Sequence, residues 1–324
     1  MSIQRFELRA DIEARALSLE AIDESFDKLR QKSGHVHKDG RKIKTLSILS
    51  TVVVFFIGVF SYIVYSHIMD LRENARIADL ARDVAARPPA VAQAGDDSAR
   101  PASGQGSDPA EPDEEMYPLN LEPRPIMPLI LSLREEFGND DIVGYISIEG
   151  TDIDYMVMQS NDNEYYLDRN VFGQETAAGS VFMDYATSAA VLGRNTILYA
   201  HNMRDGSMFH NLRFYQSKQF FDSNRYIRLT TLHDETIWEA FAFYATHIDF
   251  NYIQVYFPDD NNFLSLVDKM VERSIHETDV HIGADDLILT LSTCEGGADK
   301  DIRYVLNARL TGRVGAEEID HVVV

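Results

Sequence analysis

Cys294 is the only cysteine in the 324-residue chain, and it closes the run LILTLSTC that starts at Leu287. At a period of two, Leu287, Leu289, Leu291 and Thr293 take one side of an extended segment, while Ile288, Thr290, Ser292 and Cys294 take the more polar other side. Glu295, Gly296 and Gly297 follow at once. The thiol is therefore expected at a strand end beside a loop, where a side chain is exposed on a rigid support. His201 has a similar place, ending NTILYAH and preceding the polar turn NMRDGS. Arg303 opens a third run, RYVLNARL, nine positions after the cysteine, and a loop of that length lets the chain return beside the cysteine strand.

A thiol, an imidazole and a guanidinium brought together can transfer acyl groups. The thiolate is the nucleophile, and its fraction rises beside a cationic partner. Imidazole protonates a leaving amine and later deprotonates an incoming one. The guanidinium, with backbone N–H groups, stabilises the oxyanion of a tetrahedral intermediate. Ser292 shares the face of Cys294 and is placed to position substrate. Structural readings stand beside these: a lone cysteine also fits a core, and a lone strand-end histidine also fits a structural role. Arg309 and Arg313 are read as solvent charges, because Arg309 lies six residues beyond Arg303, roughly 20 Å at strand rise.

The elements that must position these groups are mostly strands. Runs at Val143–Ile148, Ile153–Met158, Ser180–Asp184, Thr196–His201, Tyr226–Thr231, Thr236–His247, Asp286–Thr293 and Arg303–Thr311 are separated by polar turns. About eight such strands predict a closed or nearly closed β-barrel. Short helices interrupt them. Pro128 to Phe137 forms one, stopped by Gly138 and Asn139; Ser207 is expected to cap a second carrying Phe209, Leu212 and Phe220. Asp260 or Asn261 is expected to cap a third with an apolar stripe of Leu264, Val267, Val271 and Ile275.

From Thr45 to Met69 no residue carries a fixed charge, and the run is long and apolar enough for one transmembrane helix. Lys38, Arg41, Lys42 and Lys44 crowd its N-terminal side, so the positive-inside rule leaves residues 1–44 in the cytoplasm and the larger C-terminal part outside the cell. The expected organisation is a cytoplasmic segment at 1–44, a membrane anchor at 45–69, a helical stalk at 70–87, a linker at 88–118 and an extracytoplasmic domain at 119–324. The cytoplasmic segment has Ile12, Ala16, Leu19, Ile22, Phe26 and Leu29 at helical spacings. His35 and His37 have no third ligand near them in sequence. The linker is rich in Pro, Ala, Gly, Ser and acids. A formal charge of −22 argues against a nucleic-acid partner. One cysteine excludes an intrachain disulfide and a thiolate cluster, and no metal- or nucleotide-binding motif appears, so no cofactor and no metal are expected.

Read together, the motifs resemble the sortases, and specifically class B. TLSTC at Thr290–Cys294 matches the family's TLxTC motif, NTILYAHNMRDGSMF its histidine segment and RYVLNARL its arginine strand. NDDIVGYISIEGTDIDYMVMQSNDNEYYL with GSVFMDY resembles the opening strands, and NYIQVYF with the following helix resembles the insertion between the sixth and seventh strands. The resemblance runs from about Leu129 to Arg313. It implies an eight-stranded sortase β-barrel with short peripheral helices, needing no metal. It further implies that Cys294 attacks a threonine carbonyl in an LPXTG-like or NPQTN-like sorting signal of a surface protein. The amine of a peptidoglycan precursor of the lipid II type then resolves the thioester. Carried over by position, Asn163, Leu167, Tyr252, Ile253, Ser292 and Glu295 are implied to line the substrate groove. Ala200, Tyr145 and Met156 depart from the family's usual Gly, Trp and Pro. Pilin polymerisation and a catalytically silent binding barrel are the alternative functions; no aromatic-acidic lid motif of the pilin type precedes the barrel, and retention of all three chemical groups speaks against a silent one.

Overall fold

The structure, a computed structural model, describes residues 40–87, 124–294 and 301–315. The segment from Ile12 to Leu29, His35 and His37, the Pro-rich linker and Glu295 lie outside the described residues. The chain divides into two compact units, Met1–His67 and Ile68–Val324.

Helix α1 (Gly40–Ala85) begins in the first unit and is long and apolar enough to cross a membrane. Phe55, Phe56, Phe60 and Tyr62 of the first unit are all exposed. A helix that shows its aromatic side chains so widely has no protein core to bury them in, which suits a lipid surrounding.

The second unit is built on β1 (Ile142–Ser147), β2 (Asp154–Met158), β3 (Val181–Met183), β4 (Asn195–His201), β5 (Tyr226–Thr230), β6 (Asp234–His247), β7 (Ile288–Cys294) and β8 (Ile302–Gly315). They close into a mixed barrel in the order β1-β2-β3-β4-β7-β8-β6-β5. The β2–β3 and β4–β7 pairs are parallel and the others antiparallel. All eight expected strands are present. β8 runs beyond its expected end at Thr311 because it pairs with β6 as far as Asp234 and Gly315.

Strand alternation divides side chains between two cores. Leu198, Ala200, Leu289, Leu291, Leu306 and Ala308 join Trp238 and Phe243 inside the barrel. Ile288 and Val305 face the other way and pack with Phe241, Ala242 and Tyr244 against helix α4 (Asp260–Arg273). Ser292 lies on this outer face, its hydroxyl meeting that of Tyr252.

The helices differ from the sequence expectation in four respects. Asp259, not Asp260 or Asn261, caps α4, its carboxylate accepting from the Asn262 backbone N–H at 2.8 Å, and those bonds hold its pKa below the usual carboxylate range. The buried stripe of α4 is Phe263, Leu266, Val267 and Met270, while Val271 and Ile275 are 50% and 55% exposed. This stripe carries the bulkier side chains, so burying it removes more apolar surface from water. The expected Ser207 helix is two elements: a 3₁₀ helix at Phe209–Gln216, and α3 (Lys218–Ser223), which holds Phe220 and is capped by Ser217. Ser207 instead donates to Asp205 at 2.7 Å. Lastly, the expected stalk is helical but packs on the barrel. Ala81 and Val84 are buried among Tyr145, Met156 and the Ile130 and Leu133 of α2 (Pro128–Phe137), and Asn74 donates to Thr176 at 2.7 Å.

Candidate active site

β4 and β7 run parallel from Asn195 opposite Ile288 to His201 opposite Cys294, so both strands end together on one rim. β8 returns antiparallel along β7 with Ser292 opposite Val305. The paired register ends there; beyond it Tyr304 donates its N–H to Thr293 Oγ1 at 3.2 Å, and Cys294 ends β7 as Arg303 stands near the start of β8. Three neighbouring strands, each ~4.8 Å from the next, therefore bring the backbone positions of His201, Cys294 and Arg303 to one rim. Arg309 is tied to Glu239 and to the His281 carbonyl, away from the rim.

His201 Nε2 lies 2.8 Å from the Leu167 carbonyl oxygen. A carbonyl only accepts, so in the neutral ring Nε2 carries the proton and Nδ1 holds the lone pair. Leu167 ends a 3₁₀ turn (Tyr165–Leu167) that is fixed from several sides. Tyr166 is buried and donates to Asp141 at 2.6 Å; burial and that carboxylate raise its pKa. Asp162 accepts from the N–H groups of Tyr165 and Glu164 at 2.7 and 2.9 Å, which lowers its pKa. Gly179 (φ +58°) passes so close that a Cβ there would stand 2.2 Å from the Leu167 oxygen. Only glycine leaves that oxygen in place for His201.

A cleft of about 280 Å³ opens beside the rim. Asn163, Leu167, Tyr199 and Ser292 line it together with Phe250, Tyr252 and Ile253 of the β6–β7 connection. Arg303 reaches it too. Beneath lies a buried polar ladder. Thr290 donates to Asn195 Oδ1 at 2.7 Å, Asn307 donates to Thr290 at 2.9 Å, and Asn195 donates to the carbonyls of Tyr252 and Gln254. Ser292 and Tyr252 hydroxyls are 2.9 Å apart. These bonds fasten the β6–β7 connection to the strands that end in His201 and Cys294.

A family model described as the sortase domain matches residues 146–311. Sortase B of Listeria monocytogenes is 39% identical over 173 residues, covering 53% of this chain and 70% of that protein. Sortase B of Staphylococcus aureus is 34% identical over 168 residues, covering 52% and 69%. The chain is a class B sortase. Among solved structures, sortase B from B. anthracis matches with a TM-score of 0.59 at 32% identity, covering 75% of this chain and 99% of that one. A Staphylococcus aureus sortase B–substrate complex matches with a TM-score of 0.55 at 31% identity, covering 58% and 86%. Sortases are transpeptidases, and these relatives give the chain that activity.

In this sortase the strand registers bring His201, Cys294 and Arg303 to one rim, and the cleft gathers Asn163, Leu167, Tyr252, Ile253 and Ser292. Ser292 is 1% exposed, so its hydroxyl is spent largely on Tyr252. Sequence reading missed Tyr199, Phe182, Asp184 and Phe250. Tyr199 lies two residues before His201 on the same face, a signal the period of two contains. Its ring meets Phe182 at 5.3 Å, and its hydroxyl donates to buried Asp184 at 2.8 Å, as does Asn163 Nδ2. Phe250, which lines the cleft, and Asp184, which bonds two residues that line it, carry no comparable local signal, because only tertiary packing brings them there.

Proposed function

We propose that this sortase is a membrane-anchored cysteine transpeptidase that cleaves an LPXTG- or NPQTN-like C-terminal sorting signal and joins the new carboxyl end to an amine of a peptidoglycan precursor. The observation that carries the reading is the row of His201, Cys294 and Arg303 on one rim beside the cleft. The sorting peptide lies in that cleft against Tyr199, Tyr252, Ile253, Asn163 and Leu167. Glu295 follows the nucleophile and completes the groove in this proposal. The Cys294 thiolate attacks the threonine carbonyl, and the new oxyanion is met by the Arg303 guanidinium. As the C–N bond breaks, the His201 imidazolium protonates the leaving amine, and a thioester remains. The neutral imidazole then takes a proton from the incoming amine, whose nitrogen displaces the sulfur. The transmembrane portion of α1 holds the enzyme at the membrane with residues 1–44 in the cytoplasm and the barrel outside, where surface proteins emerge. Residues 88–118 serve as the linker and 119–324 as the catalytic domain.

Incubating the full chain with a library of sorting peptides and finding the Cys294 acyl adduct by mass spectrometry tests the reading and names the signal together. The expected result is an adduct ending in the threonine of one signal class, with none in Cys294→Ala. Peptide turnover that persists in Cys294→Ala would overturn it.

A further inference from the structure

Asp184 follows β3 directly and is 4% exposed. A carboxylate taken out of water must be met by donors, and three meet this one. Oδ1 accepts from the Ala186 N–H at 2.9 Å, while Oδ2 accepts from Asn163 Nδ2 and from the Tyr199 hydroxyl, each at 2.8 Å. The backbone here is held as well. The Asp184 N–H donates to the Ile197 carbonyl at 3.0 Å, and Gln159 Nε2 donates to the carbonyls of Asp184 and Thr187 at 2.9 and 2.7 Å. Asp184 thus stands behind the cleft, and Asn163 and Tyr199 line it.

Only one orientation of the Asn163 amide fits these neighbours. The Tyr185 N–H can only donate, and it meets Oδ1 at 3.0 Å; the Asp184 carboxylate can only accept, and it meets Nδ2. Turning the amide over would set donor against donor and acceptor against acceptor. An amide nitrogen carries two N–H groups. The one not spent on Asp184 has no partner among the described residues.

We propose that Asp184 is a positioning residue for the sorting peptide: it fixes the Asn163 amide so that the cleft wall offers an N–H to a carbonyl oxygen of the bound peptide. The inference rests on the transfer reaction proposed above. Asp184 touches no reacting atom and acts through Asn163. The same carboxylate holds the Tyr199 hydroxyl, with the Tyr199 ring 5.3 Å from that of Phe182 on the cleft lining. A peptide with no acceptor at that place leaves the N–H unmet, and the cleft selects against it on that ground.

The test is steady-state kinetics of the full chain with peptides carrying NPQTN and LPETG, using whichever forms the Cys294 adduct. Asp184→Asn keeps the shape of the side chain but leaves one oxygen for three donors. With that oxygen on the Ala186 N–H, an NH₂ group faces Asn163 in place of the carboxylate. KM should rise roughly fivefold, the scale of one net hydrogen bond, with kcat within about twofold of the unaltered value. Combining Asn163→Asp with Asp184→Asn restores an amide–carboxylate pair with donor and acceptor exchanged. The Tm lost in the single variant should return, while KM stays raised because the cleft wall now offers a carboxylate instead of an N–H. This exchanged pair carries the test by itself if Asp184→Asn alone does not fold. An unmoved KM in Asp184→Asn, or a KM restored by the exchange, would overturn the positioning role. Absence of any Cys294 adduct in the unaltered chain would instead overturn the transfer reaction and the inference with it.

Discussion

Arg303 is the second residue of β8, and its planar fork offers two parallel N–H groups to an oxyanion where a lysine offers a point charge. Arg303→Lys is therefore expected to lower kcat by roughly 10²–10³-fold, the usual effect of losing an oxyanion donor, with a smaller change in KM. Steady-state kinetics with the identified peptide decides this; normal turnover would remove the oxyanion role. Cys294→Ala should form no thioester yet unfold at the same temperature as the unaltered chain. Tyr252→Phe separates structure from chemistry in another way. It leaves the buried Ser292 hydroxyl without its 2.9 Å partner, which should cost about 1–2 kcal/mol in denaturant unfolding.

Between residues and the whole barrel, the 3₁₀ turn at Tyr165–Leu167 does the positioning. Its last carbonyl fixes the His201 tautomer, and Gly179 makes room for it. Gly179→Ala should displace that oxygen and lower kcat while leaving peptide binding less affected, a split that a general loss of fold would not produce. The pH dependence of the turn has a definite sign. The Asp162 pKa is lowered in the folded chain, so its contribution is complete above the ordinary carboxylate range and is lost only as pH falls through the depressed value. Hydrogen exchange at the Tyr165 and Glu164 amides should accordingly show no loosening until strongly acidic pH. The polar ladder below the site is the other positioning element. Thr290→Val removes partners from both Asn195 and Asn307, which are 1% and 0% exposed, and should cost about 2–4 kcal/mol.

For the molecule as a whole, the barrel and the helical segment from Ile68 to Ala85 form one compact unit. Val84 is 3% exposed. Val84→Asp would bury a carboxylate among Tyr145, Met156 and Leu133 and should cost about 3 kcal/mol or more, read as a fall in Tm. An unchanged Tm would show that the segment adds nothing to the barrel's stability.

Much of this was legible in the one-dimensional pattern. A period of two gave all eight strands, because a half-buried strand must alternate its side chains to satisfy both the core and its other face. The same period placed Ser292 and Cys294 on one side of LILTLSTC, and a single charge-free stretch marked the segment long enough to cross a membrane. Helical detail was less legible: the stripes through Leu264 and through Phe263 both have helical spacing, and only packing against Phe241 and Tyr244 decides between them. Nor could the strand runs tell that β4 and β7 pair in parallel, or that Gly179 touches Leu167. The sequence by itself determined which groups stand at strand ends, since that follows from local alternation and turns. The tertiary structure alone decided that His201 shares a rim with Cys294, because that depends on the parallel pairing of two segments nearly a hundred residues apart in the chain.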